Sequence, residues 1–260
     1  MSVTAPQGFR AAGIAAGVGS QGRRDVALVV NDGPSRAAGA IFGAHPDPAP
    51  PSLWSRQVVS GGRVRAVVLN AGCANAGTGP LGFQDAHAQA EHAADLLADS
   101  AAEIVLCAAG PIGTRPPLDA LKEGITRAVA EADRGGALPA ADAIRTNDTV
   151  AKIAFRRGGG ITVGGMAKGP DASLGSVLCV LTTDADLDRE QCQGMVEEIA
   201  VKAFSPLTGT NDTVLLMASG AVPGPPEEET VRGLLEQVCT ELAAQIEADP
   251  PTTEDRKVSA

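Results

Sequence analysis

The 260-residue chain contains no tyrosine, and aromatics make up 2% of it, with Trp54 as the single tryptophan. Base-stacking platforms and aromatic cages for cations or sugars are therefore not expected. Positive charge is also scarce. Lys and Arg number 21 against 31 Asp and Glu, a net charge of −10. This argues against nucleic acid or an anionic membrane as the main partner, because both reward clustered Lys and Arg. Long apolar runs are missing too: the longest uncharged one, Ala172–Thr183, falls far short of the ~20 residues that span a bilayer. Met1–Gly13 holds no apolar core of a secretory signal, so the expected location is the cytoplasm. The five cysteines (Cys73, Cys107, Cys179, Cys192 and Cys239) are odd in number and show no CxxC spacing, which supports neither a disulfide framework nor a structural zinc site. No cofactor is expected.

Hydrophobic residues at 44% and charged residues at 20% give an ordinary globular balance. A chain of this length allows one large domain or two small ones. Five short β-rich runs stand out: Val26–Val30, Val64–Leu69, Ile104–Cys107, Val177–Leu181 and Val214–Met217. Continuous apolar runs of this kind predict strands covered on both faces. Helical spacing marks Phe83–Ala98, Leu118–Ala132, Asp188–Phe204 and Glu227–Ala248. Strands and helices intermix, which predicts an α/β or α+β class. The Pro-rich stretch His45–Ser52 reads as an exposed loop, Ala221–Pro226 as a linker, and the polar tail 250–260 as disordered. The pentapeptide Thr-Asn-Asp-Thr-Val occurs twice, at 146–150 and 210–214. It reads either as a duplicated site element or, preferably, as two ordinary Asx turns or N-caps.

Most local chemical signals have an ordinary explanation. His87 and His92 lie five apart, whereas metal-binding pairs on one helix face lie three or four apart. The glycines at 158–160 and 164–165 fit neither phosphate-loop pattern and read as turns of a β-hairpin. Gly110, Gly113 and the loop Asn70–Gly79 are Gly-rich turns after strands, which can aim N–H groups at an oxyanion but mostly just connect elements. The segment Gly164–Ala185 is more informative. It places Lys168 near Gly175-Ser176 at the start of an apolar strand. N-terminal nucleophile enzymes use this arrangement, in which cleavage before the hydroxyl residue frees an α-amine, with a pKa near ~8, as the local base; taken alone, Gly-Ser before a strand is common and reads first as an ordinary strand start.

Several stretches, in order along the chain, resemble the bifunctional ornithine acetyltransferase/glutamate N-acetyltransferase family of arginine biosynthesis. They include Thr4–Arg10 with Ala11-Ala12-Gly13, Leu28–Pro34, Ser55–Val58, Val67–Pro80, Gly82–Asp85 and Gly110–Gly113. Further matches are Ala143–Lys152, Gly164–Gly169, Leu181–Ala185 and Thr210–Leu216. The set is specific although each stretch alone is weak. On this resemblance the two pentapeptides belong to separate family motifs. The resemblance implies a layered α/β sandwich of the N-terminal nucleophile type. It also implies a precursor that cleaves itself after Gly175, giving an α-chain-like region 1–175 and a shortened β-chain-like region 176–249. The implied reaction carries acetyl from N-acetylornithine to glutamate through an acetyl-enzyme.

Carried over by motif, the nucleophile is Ser176, the oxyanion pair is Ala109-Gly110, and the substrate contacts are Thr146 and Lys168. Thr146, Lys168 and Ser176 are expected around one cleft with Gly110 near it. The implied assembly is a homo-oligomer, or an α/β heterotetramer once cleaved. Five departures bear on activity. Ser176 stands where the family has Thr, and Ala109 stands where it has a hydroxyl donor. The Pro170–Gly175 loop is shorter. Asp249-Pro250-Pro251-Thr252 stands where a substrate-binding Glu motif is expected, and roughly the last third of a family chain does not follow. An inactive homologue acting as a binding or interaction protein, and a hydrolase or acyltransferase of other specificity, are the alternatives.

Overall fold

The computed structural model describes residues 2–19, 22–170 and 176–249. The expectations for Gly175 and the tail 250–260 lie outside them. Two sheets form the centre. The first joins β1 (Phe9–Ile14), β2 (Val26–Asn31), β4 (Ala66–Asn70) and β5 (Ile104–Ala108) in the order β1-β2-β4-β5. The second joins β3 (Ala38–Phe42), β6 (Lys152–Gly158), β7 (Ile161–Lys168), β8 (Leu178–Thr183) and β9 (Thr213–Ala218) in the order β3-β9-β8-β7-β6. Within these sheets the β4–β5 and β8–β9 pairs are parallel and the remaining pairs antiparallel.

Strand periodicity decides the layering, because successive side chains point to opposite faces. In β2, Ala27 and Val29 join an inner core with Val67, Val105, Met166, Val180 and Leu215, so the two sheets face each other across it. Val26, Leu28 and Val30 point the other way, onto α2 (Gly79–Leu97) and α3 (Leu118–Glu131). The outer face of the second sheet, including Val163, Cys179, Leu181 and Val214, packs on α5 (Arg189–Met195) and α7 (Glu228–Glu247). The helix–sheet–sheet–helix order is the layered α/β sandwich that the resemblance implied, and double coverage explains the unbroken apolar runs.

The sequence misjudged several elements. His45–Ser52 is not wholly loop: Pro50 opens α1 (Pro50–Ser60), where a missing N–H costs nothing, and Pro50, Pro51 and Ser52 are buried. The Gly158–Gly160 turn does join β6 to β7, but Gly164 and Gly165 lie inside β7. A side chain at 164 would run into the Ser2 carbonyl, and one at 165 would press on Leu181, Leu242 and Val238, so these glycines admit close packing and do not turn the chain. The helix expected over Asp188–Phe204 is interrupted: a π turn at Val196–Ala200 separates α5 from α6 (Val201–Phe204). A short helix, α4 (Ala137–Ala143), packs against β1 and was not expected. No described helix is long and apolar enough to cross a membrane.

Candidate functional site

Parallel pairing of β8 with β9 sets Leu178 beside Thr213, so both strands begin at the same edge of the second sheet. Antiparallel pairing brings the end of β7 to that edge, with Lys168 opposite Leu178. Ser176, two residues before β8, is therefore seated between the end of β7 and the approach to β9. It is 4% exposed, and its Oγ accepts the Asn211 N–H at 3.1 Å. Lys168 is fully buried, and its ammonium donates to the Ser176 carbonyl at 3.0 Å. The pair expected from sequence is thus in direct contact through main-chain and side-chain atoms.

The Thr-Asn-Asp approach to β9 forms the floor. Asp212 accepts the Val177 N–H at 2.8 Å through one carboxylate oxygen and the Gly209 N–H at 2.6 Å through the other. Burial raises the Asp212 carboxyl above its ordinary range, opposed by the backbone N–H groups of Gly209 and Val177 and by the Lys168 charge. Gly209 approaches so closely that a Cβ there would stand 3.0 Å from Ser176 Oγ and 2.7 Å from Asp212 Oδ1. The Asn211 carboxamide reaches across to the first sheet, donating to the Ala74 carbonyl at 2.9 Å.

That bond connects the loop after β4 to the site, and the loop after β5 packs against it. Ala74 N–H donates to the Pro111 carbonyl at 3.1 Å, and Ala109 N–H donates to the Asn70 carbonyl at 2.9 Å. Gly110 has φ +126°, which favours glycine, and a Cβ there would meet Cys73 N and Gly72 C at 2.9 Å. Ala109 and Gly110 therefore sit beside the Asn70–Ala76 loop that Asn211 touches. Two residues before Ala109, burial pushes the Cys107 thiol up to about 12, against a hydrogen bond with Thr213, so a thiolate nucleophile there is disfavoured. Thr146, two residues before Asp148, has its carbonyl 3.4 Å from an Arg23 guanidinium nitrogen. Its loop reaches the site through Asp148, whose carboxylate accepts the Gly169 N–H at 2.9 Å.

Asn211, Asp212, Asp148 and Gly209 were not singled out from sequence. The signal that pointed to three of them was the repeated pentapeptide, which had an adequate local explanation as two turns. His92 contacts Thr126 and the Lys122 carbonyl, and His87 packs on Trp54. No metal-binding group occurs among the described residues.

Beside this edge lies a buried cluster of one lysine and two carboxylates. The Lys152 ammonium, fully enclosed, contacts Asp148 at 2.6 Å and Asp249 at 2.7 Å. Burial works against the Asp249 charge, but the bonds from Lys152 and Thr149 outweigh it and hold the carboxyl well below the usual range. A depressed folded-state pKa means that this stabilisation is complete above the unfolded value near ~4 and is lost as pH falls through the folded value. Asp249→Asn should therefore lower the midpoint of thermal unfolding at pH 7 by the equivalent of about 1.5–3 kcal/mol, one charged hydrogen bond. The gap from the parent should shrink in melts recorded below pH 4; a gap constant from pH 7 to pH 3 would refute this assignment.

The sequence matches the ArgJ family over residues 10–254. It is 55% identical over 257 residues to the arginine biosynthesis bifunctional protein ArgJ of Thermobifida fusca, covering 96% of this chain and 67% of that one. It is 49% identical to ArgJ 1 of Streptomyces clavuligerus, with the same coverage. The chain thus spans about two thirds of the length of these curated relatives. Among solved structures, ornithine acetyltransferase of Mycobacterium tuberculosis, determined with ornithine, superposes with a TM-score of 0.65 at 46% identity, over 68% of this chain and 96% of that one. An L-aminopeptidase D-Ala-esterase/amidase of Ochrobactrum anthropi, with a variant of the Ntn hydrolase fold, shares the fold at 14% identity, TM-score 0.57 and 94% coverage of this chain. On the family match and the identity over nearly its whole length, the chain belongs to the ArgJ family.

Proposed function

We propose that the chain is a glutamate N-acetyltransferase-like enzyme of arginine biosynthesis, acting on small amino-acid substrates in the cytoplasm, with Ser176 as nucleophile. The observation that carries this reading is the contact of Lys168 with Ser176, two positions drawn from separate family motifs, at a shared strand edge. In the first step Ser176 Oγ attacks the carbonyl carbon of residue 175. The C–N bond breaks, leaving an ester and a free Ser176 amine, and water then hydrolyses the ester. The freed α-amine accepts the Oγ proton while Oγ attacks the acetyl group of N-acetylornithine. Ornithine leaves with the proton, and the glutamate amine later takes the acetyl from the ester. Gly110, with Ala109, is assigned to the oxyanion, and Thr146 and Lys168 to substrate. The chain's own departures, above all Ala109, favour slow processing.

Cleavage between 175 and 176 would not separate the two regions. In the sheet order β3-β9-β8-β7-β6, the strands after the cut, β8 and β9, lie between β3 and β7 from before it. The two fragments should therefore co-elute as one species on size exclusion and separate only under denaturing conditions. This supports assembly of the cleaved pieces as an α/β pair.

Intact mass spectrometry tests the reading. Incubation with N-acetylornithine should add one acetyl group, mapping to Ser176, and glutamate should remove it as N-acetylglutamate. Ser176→Ala should abolish both cleavage and acetylation. Acetyl transfer that survives Ser176→Ala would overturn the assignment. A parent chain that neither cleaves nor takes up acetyl, though folded, would favour a binding role.

A further inference from the structure

The two copies of Thr-Asn-Asp-Thr-Val make equivalent contacts on the two sides of the site. In the first copy Asp148 accepts the N–H of Gly169, the residue after Lys168. In the second, Asp212 accepts the N–H of Val177, the residue after Ser176. Asp148 precedes β6 and Asp212 precedes β9, and the strands they hold, β7 and β8, pair with each other between them. An ordinary Asx turn bonds within its own few residues. Here the partners lie 21 and 35 positions away.

We infer that Asp148 and Asp212 are positioning residues that fix the main chain at Lys168–Gly169 and Ser176–Val177, and so hold the Lys168 ammonium and the Ser176 hydroxyl in register. Lone N–H groups at a surface need only water. These two are met by carboxylates that are themselves buried: the Asp148 side chain is 4% exposed and Asp212 is 2% exposed. Burying a charge is costly unless it is paired. Each charge has a buried lysine nearby, Lys152 at 2.6 Å from Asp148 and Lys168 beside Asp212. Charged acceptors hold a donor more tightly than neutral ones. Asp212 holds the main chain on two sides of Ser176, since its second oxygen takes the Gly209 N–H, and Gly209 closes on Ser176 Oγ. The neighbouring Asn211 N–H completes the support by donating to that Oγ.

The kinetic consequence rests on Ser176 being the nucleophile; the contacts themselves do not. Misplacing reacting groups by about 1 Å costs about 100-fold. Asp212→Ala should accordingly lower the rate of Ser176 acetylation by about 100-fold at unchanged KM. Asp212→Asn, which keeps shape but loses one acceptor oxygen, should cost about 10-fold. Asp148→Ala should also cost about 10-fold. Hydrogen exchange on the same proteins gives a reading independent of activity. The Val177 amide should exchange faster in Asp212→Asn, and the Gly169 amide faster in Asp148→Ala. Unchanged exchange at both amides, or a full acetylation rate in folded Asp212→Ala, would overturn the inference. A parent chain without chemistry at Ser176 would instead defeat the functional reading, and the exchange result would then decide the positioning role alone.

Discussion

Lys168→Met should destabilise the protein by about 1–3 kcal/mol, the usual consequence of leaving a buried acceptor without its donor. Lys168 is fully enclosed, donates to the Ser176 carbonyl, and opposes the cost of burying Asp212. Methionine fills similar space but leaves the Ser176 carbonyl without that donor and removes the charge that lowers the cost of burying Asp212. At about 2–4 °C per kcal/mol for a chain of this size, melting should fall by several degrees. Combining Lys168→Met with Asp212→Asn should recover part of the loss, because the uncompensated charge is removed with its partner. A thermal melt of the single variant within a degree or two of the parent would show that the ammonium does not balance Asp212.

The sequence was most legible where the structure is most regular. All five apolar runs are strands, because burial on both faces leaves no polar position to interrupt them. Long periodic helices were equally plain, as with Val231, Leu235, Val238 and Leu242 on the buried face of α7. Strands with interruptions were not. β1 and β3 carry glycine and alanine at packed positions, and β7 carries two glycines for close approach, so their apolar signal is diluted. At the site, Ser176 and Lys168 were legible through motif resemblance. Asp148 and Asp212 were not, because an aspartate before a strand satisfies a local turn as readily as it reaches 35 residues along the chain. Local chemistry does not say which of these it will do; pairing of β8 with β9 and of β6 with β7 decides it.

Ala109→Thr should speed both self-cleavage and acetyl transfer, by about 100–1000-fold if its hydroxyl reaches the developing oxyanion. The parent backbone offers little substitute at that position, since the Ala109 N–H is engaged with the Asn70 carbonyl. The gain has a structural cost. Ala109 is 2% exposed and belongs to the core between the sheets, where two added heavy atoms press on neighbours. Overpacking of this kind costs about 1–3 kcal/mol. The two effects separate with Ala109→Val, which has nearly the shape of threonine and no donor. Both variants should melt lower than the parent, and only Ala109→Thr should process and transfer faster. Equal rates in the two variants would show that shape, and not the hydroxyl, governs this position. Rapid and complete processing of the parent chain would show that Gly110 and its surroundings already stabilise the oxyanion without the missing hydroxyl.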